Sequence, residues 1–280
     1  MSFGVMLIVL GAATLHATWN AMIKAGSDKL LDTVLITSTA GLLAATLLPW
    51  LPLPAPASWP YLGASVAIHC GYFCCIALAY HAGDLSYVYP IMRGTAPLMT
   101  AVVAQLTIDE PLSLGNVMGI GCLSLGIVTL TGDAFRASTL QLAPTLFALA
   151  NAVVIVSYTL VDGVGVRVSG HPASYVQWLF FLNTFPLLGF VLLTRARALL
   201  QRATEAWAVG LMGGLCTMAS YGLALWAMTR APIALVAALR ETSVIVATII
   251  GAYYLHERFG TQRYVAVGLV TGGVIAMKVW

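Results

Sequence analysis

Residues 232–254 read PIALVAALRETSVIVATIIGAYY, an apolar run long enough to cross a bilayer that carries Arg240 and Glu241 near its middle. A helix of about 20 apolar residues covers the ~30 Å hydrocarbon layer. An ionisable group at that depth costs at least roughly 2.5 kcal/mol, so it faces a wet cavity, pairs with a partner or marks a pathway. The stretch also has an echo. Sliding the sequence by about 147 positions lays Arg93 on Arg240, Glu110 on Glu257, Gly121 on Gly268 and Gly126 on Gly273. The chain repeats itself, and the repeat contains the buried arginine.

Hydrophobic residues make up 60% and charged residues 8% of the 280, against roughly 45–50% and about 25% in soluble domains. A water-facing surface cannot be built from this composition, which predicts an all-α integral membrane protein. No basic patch points to nucleic acid. Cys70, Cys74, Cys75, Cys122 and Cys216 lie inside apolar spans without ligand spacing, and read as small core residues and not as disulfides or a metal site. The first apolar segment follows Met1-Ser2-Phe3 without a basic leader or cleavage site, which predicts a retained span.

Breaking the apolar runs at polar, Gly or Pro punctuation gives ten candidate transmembrane helices near 3–23, 31–51, 60–82, 85–107, 113–131, 140–162, 172–194, 204–229, 232–254 and 261–279. The joints at Gly83-Asp84 and Arg230-Ala231-Pro232 predict tight hairpins, the Pro-rich link 49–56 a stiff loop, and Arg195 to Arg202 a basic loop. Two copies, 1–131 and 140–280, hold five helices each, and an odd number sends the second copy through the membrane from the opposite side. That predicts two inverted five-helix repeats, with a site near the midplane where the halves meet. Gly115, Gly119, Gly121, Gly126, Gly268, Gly272 and Gly273 in the fifth and tenth spans read as helix-contact residues. Loops after the odd spans hold Lys24, Lys29, Arg136, Arg195, Arg197, Arg202, Arg258 and Arg263, whereas the other side holds Arg167, Arg230 and Lys278. This bias places both termini outside the cytoplasm.

Arg93 and Arg240 each sit about nine residues into their helices, roughly 12–14 Å of rise from one end. Inverted symmetry brings both towards one central layer, where two guanidiniums present bidentate donors suited to a carboxylate, phosphate or phosphonate. The alternative is that Arg93 pairs with Glu241 and ties the halves together, and a pair that opens on binding unites the two. His16 and Asn20 lie one helical turn apart on one face of the first span, where His16 has the chemistry to carry a coupling proton or meet an anion, or to bond across a helix interface. Trp19 and Asn20 also read as packing or interfacial groups. Tyr80, Tyr89, Tyr221, Trp178 and Trp226 are candidate cavity-lining residues, within a larger set (His69, Tyr72, Tyr87, Asn151, Tyr158, Gln177, Asn183) whose usual role is helix contact or interface belt. Asp162 reads as a solvated span end, and Glu110 and Glu257 as caps or pairs at the next helix's start. No Gly-rich phosphate loop, HExxH or serine elbow is present, so the chain does not read as an enzyme and calls for no cofactor.

Ten spans in two five-helix copies, each closing with a Glu-containing hinge and a Gly-rich last helix (Asp109-Glu110-Pro111-Leu112 through Gly126; His256-Glu257-Arg258-Phe259 through Gly273), resemble the drug/metabolite transporter superfamily, EamA type. The resemblance covers essentially the whole chain. It implies a cavity lined by spans 3, 4, 8 and 9, with the fifth and tenth peripheral, and leaves the substrate open among amino acids, nucleotide sugars, phosphorylated sugars, choline and drugs. The first span is similar to that of the small multidrug exporters, with His16 where those proteins carry their proton-coupling carboxylate and Lys24 matching their lysine. That difference puts simple cation-for-proton antiport in doubt. Leu15-His16-Ala17-Thr18-Trp19-Asn20 also looks like the opening helix of a branch associated with phosphonate utilisation.

The expected function is alternating-access transport of a small polar metabolite with an anionic group, such as an amino acid or aminophosphonate, across a bacterial inner membrane. Arg93 and Arg240 would hold the anionic end, Glu241 an amine, and His16 a proton. The expected partners are the substrate, the lipid bilayer and a coupling proton, with a monomeric functional unit. The alternatives are an exporter of hydrophobic or cationic compounds, a lipid flippase, and a non-transporting scaffold.

Overall fold

The computed structural model describes residues 1–82, 85–130, 142–254 and 261–279, with the side chains of 73–87 and 251–261 left aside. Arg136, the Gly83-Asp84 joint and the second hinge with His256, Glu257 and Arg258 lie outside these residues. The helices are α1 (Phe3–Ala25), α2 (Lys29–Leu47), α3 (Trp59–Ala82), α4 (Leu85–Ile108), α5 (Leu114–Thr129), α6 (Leu142–Val168), α7 (Pro172–Glu205), α8 (Trp207–Met228), α9 (Ile233–Arg240), α10 (Ser243–Tyr254) and α11 (Thr261–Val279). Strands are absent among the described residues. Seven of the helical stretches there are long and apolar enough to cross a membrane.

The surface explains the composition. Leu42, Leu106, Leu114 and Leu193 are all more than 60% exposed, whereas Asp32, Arg93, Asn151, Asp162, Arg240 and Glu241 are buried. Apolar side chains outside and charges inside is the arrangement a hydrocarbon solvent demands, because helices satisfy their own backbone and lipid offers nothing to a charge.

Local signals set the helix ends. The Ser2 hydroxyl accepts from the Val5 amide and Asp28 from that of Leu31, so each caps the helix after it. Gly170 takes the left-handed turn at φ 71° between α6 and α7, and α7 starts with Pro172 at its first position and His171 as cap. Three elements depart from expectation. Helix α6 runs six residues past 162, which draws Asp162 inside the bundle. Helix α7 continues to Glu205, kinked at Arg195 (φ −141°, ψ 33°), so the expected basic loop is helical. The ninth span is broken between α9 and α10.

The kinked end of α7 is fastened to the start of α2. Arg195 Nη2 donates to Asp28 Oδ2 at 2.5 Å, and Arg202 meets Asp32 as a two-pronged pair at 2.6 and 3.1 Å. Deeper in, the Thr184 hydroxyl reaches the Thr37 carbonyl at 3.2 Å, between residues 147 positions apart. Helices α5 and α11 pack closely and run antiparallel, since Gly119 meets Gly273 and Met277 while Gly126 meets Val270 and Ala266. A Cβ on Gly119 would stand 2.7 Å from the Gly273 carbonyl, and one on Gly273 2.6 Å from that of Gly119. Gly121, Gly268 and Gly272 face open space instead; they do not make the helix contact expected of them. Cys122 is likewise exposed and not a core residue.

Candidate functional site

The ninth span breaks where polar residues interrupt its apolar run. In Arg240-Glu241-Thr242-Ser243 the backbone tightens, Glu241 N bonding to Ala238 O, Thr242 N to Leu239 O and Val244 N to Glu241 O. The Thr242 hydroxyl also takes the Leu239 carbonyl at 2.6 Å, the competition by which short hydroxyl side chains bend helices. Arg240 and Glu241 therefore stand at a discontinuity deep in the protein, 4% and 3% exposed.

Arg93 arrives from α4, whose Pro90 and Pro97 each remove a backbone donor. Gly94 beside it allows α4 to approach α5, because a Cβ there would press on Val128 and on the Ser124 carbonyl at 3.2 Å. Arg93 then faces the interior. Its Nε lies 2.8 Å from Glu241 Oε2, an ion pair by distance whose alignment falls short of a hydrogen bond, since neither atom has an aligned partner. Its Nη2 lies 3.0 Å from His16 Nε2. A guanidinium only donates, so His16 accepts at Nε2 and keeps its proton on Nδ1. The Arg93 guanidinium carbon stands 5.8 Å from the Tyr89 ring centre, and that of Arg240 stands 5.0 Å from the Tyr221 ring centre.

The two arginines differ in one respect. Arg93 has the Glu241 carboxylate, whereas Nε and Nη1 of Arg240 have no hydrogen-bond partner, and Arg240 forms no ion pair among the described residues. Arg240 and Glu241 line a small cavity with Pro97 and Thr100 of α4 and Thr159 of α6. Its volume of about 10 Å³ gives room for roughly one water. Two guanidiniums, one carboxylate and a neutral imidazole leave an excess positive charge at this centre.

Of the residues picked out from sequence, the structure thus brings together His16, Tyr89, Arg93, Tyr221, Arg240 and Glu241. It does not bring in the others. Asn20 Nδ2 turns back to the His16 carbonyl at 2.8 Å, Trp178 packs edge-on against Trp59 and Phe181, and Trp226 lies under Arg230, 5.4 Å away. Tyr80 lies in α3 with its side chain outside the described residues.

Sequence reasoning missed two polar centres. Asp162 is not solvated but 0% exposed, and its two oxygens accept from Tyr175 at 3.0 Å and Tyr221 at 2.6 Å. Glu110 caps a helix distant in sequence and not the next one: Oε2 accepts from the Ile233 amide at the start of α9 at 2.7 Å, and Oε1 pairs with Arg167 at 2.6 Å. Arg167 also holds the carbonyls of Met228 and Ala231. No signal in the sequence pairs Glu110 with Ile233; for Asp162, its place in an apolar run was the available clue.

The profile of the EamA-like transporter family matches residues 142–278. No curated protein matches the chain in sequence. A solved crystal structure superposes with a TM-score of 0.76 at 18% identity, covering 100% of this chain and 98% of that one. At that identity the likeness speaks for the fold. Residues 142–278 thus match the EamA-like transporter family, which lies within the drug/metabolite transporter superfamily.

Proposed function

We propose that this protein is a secondary, alternating-access carrier for a small polar metabolite bearing a carboxylate, phosphate or phosphonate. The observation that supports this reading most is the Arg240 guanidinium, 4% exposed and lining the central cavity, whose Nε and Nη1 have no hydrogen-bond partner. A buried guanidinium with unsatisfied donors and no ion pair of its own among the described residues suits an incoming anion, and its planar fork suits two oxygens at once. Arg93, already facing Glu241, changes partner when the solute enters, and an amine on the solute meets the released carboxylate. A cavity with room for about one water is then the closed state, which opens by motion of the helices that line it. The two halves act as inverted repeats around this centre, a reading supported by the contact of Thr37 with Thr184, residues spaced as the sequence echo is. One chain then supplies the pseudo-twofold and works as a monomer, in an inner membrane with both termini outside the cytoplasm.

The experiment is a thermal-shift screen of the purified protein against glutamate, 2-aminoethylphosphonate, glucose 6-phosphate, choline and tetraphenylphosphonium. A solute at a hundredfold excess over its dissociation constant stabilises by about 2.7 kcal/mol. The expected result is stabilisation by one or more of the first three, lost in Arg240→Gln. Stabilisation by choline or tetraphenylphosphonium alone would overturn the reading in favour of a cation exporter, for which Glu241 and the tyrosines form the site.

A further inference from the structure

Asp162 of α6 has no exposed surface and forms no ion pair with a cation among the described residues. Its donors are neutral hydroxyls: Tyr175 of α7 on one oxygen and Tyr221 of α8 on the other, with the Ser65 hydroxyl of α3 also bearing on the carboxyl group. His69 stands behind Ser65. Its Nδ1 is 2.8 Å from the Ser65 carbonyl, an acceptor only, so Nδ1 carries the proton, and the Ser65 hydroxyl lies 3.2 Å from the same nitrogen. The His69 ring rests 4.6 Å from that of Tyr158. A carboxylate buried in a membrane protein beside hydroxyls and an imidazole has donors and acceptors to pass a proton, and no Lys or Arg pairs with it among the described residues.

The cluster also touches the anion centre. Tyr221 donates to Asp162 through its hydroxyl while Arg240 sits over its ring, so one side chain contacts both groups. The titratable and charged groups that face α6 are Tyr61, His69 and Tyr72 from α3, Tyr175 from α7, Tyr221 from α8, Arg93 and Tyr89 from α4, Arg240 from α9 and Glu241 just after it.

We propose that Asp162 is a proton-binding site, served by Ser65 and His69, and that its protonation is tied to the state of Arg240 through Tyr221. The proton-binding part stands on this cluster alone; its use in driving transport rests on the function proposed above. A proton arriving on Asp162 forms one O–H bond and neutralises the carboxylate. The Tyr221 hydroxyl is then free to turn, which alters the ring face on which Arg240 rests. An anion on Arg240 removes positive charge from the neighbourhood and favours the protonated carboxyl, so anion and proton bind together.

Infrared difference spectroscopy of the full-length protein in nanodiscs, titrated with acid and base, reads this directly. The wild type should show a protonated-carboxyl band that titrates, that Asp162→Asn lacks and that Asp162→Glu retains at a shifted position. Glu241→Gln should leave that band in place. Loss of the cation in Arg240→Gln should raise its midpoint by roughly half a pH unit, and 2-aminoethylphosphonate should raise it in the wild type and not in Arg240→Gln. A spectrum identical in wild type and Asp162→Asn, when Asp162→Glu shows the fold intact, would make Asp162 a plain structural anchor. A midpoint that follows sodium when sodium chloride replaces choline chloride would overturn the proton as the ligand. A midpoint unmoved in Arg240→Gln would overturn the link to the arginine. The band is read without solute, so failure of the anion screen leaves this test standing.

Discussion

Arg93 and Arg240 occupy matching places in the sequence echo yet differ in energy. Arg93 and Glu241 are both buried and face each other at 2.8 Å, so removing the carboxylate strands a charge at a cost of about 3–5 kcal/mol. Glu241→Gln should therefore lower the melting temperature markedly, whereas Arg240→Gln, which removes a cation without a carboxylate of its own, should leave it unchanged or raise it. Melting the two variants side by side without solute checks this, and an equal loss in both would count against the assigned pairing. Such residues were legible from sequence because a charge inside an apolar run has few explanations. Asp162 was not, although it too lies between apolar neighbours: the Asp162-Gly163 pair looks like the end of a span. Its burial comes from Tyr175 and Tyr221, whose helices follow later in the chain.

Among the elements, α5 and α11 form a seam whose closeness depends on particular glycines. Gly119→Val forces a side chain against the Gly273 carbonyl, while Gly121→Val enters open space. The first should broaden or abolish the monodisperse peak in size-exclusion chromatography, and the second should elute as the wild type does. Sequence alone gave seven small residues in these two spans without saying which face each occupies, since helix rotation is set by the neighbours. The start of α9 supplies a second test. Glu110 takes the Ile233 amide and the Arg167 guanidinium together, so Glu110→Ala leaves the start of α9 uncapped and Arg167 without its carboxylate. The expected loss is about 1–3 kcal/mol, measured as a fall in melting temperature, with Glu110→Gln recovering part of it. The positions of the spans were readable in advance because hydrocarbon thickness sets a minimum apolar length, whereas the extensions of α6 and α7 beyond that length were not. The break at Glu241-Thr242 was not, because it arises from hydroxyl side chains competing for backbone carbonyls inside an otherwise helix-forming run.

For the molecule as a whole, ion pairs lie at the ends of the bundle as well as at its centre. At one end Asp28 is held below its ordinary value of 3.8 by the hydrogen bond from Arg195 and then by the Leu31 amide. A carboxylate depressed by folding adds stability above its unfolded pKa and loses it as pH falls through the folded value. The wild type should thus melt above Asp28→Asn at neutral pH, with the gap closing in acid below about pH 4. At the other end Glu110, Arg167, Met228, Ala231 and Ile233 are drawn together by four heteroatom contacts of 2.6–2.9 Å. The α5–α11 seam has a different consequence. It joins residues before 131 to residues after 261, so that helices far apart in the chain share one flank. Severing the chain genetically within 131–141 leaves each fragment with a bare glycine-lined flank that only the complementary fragment fits. Two such polypeptides, made together and tagged separately, should copurify and regain the ligand-induced stabilisation of the intact protein, and a Gly119→Val fragment should fail to find its mate.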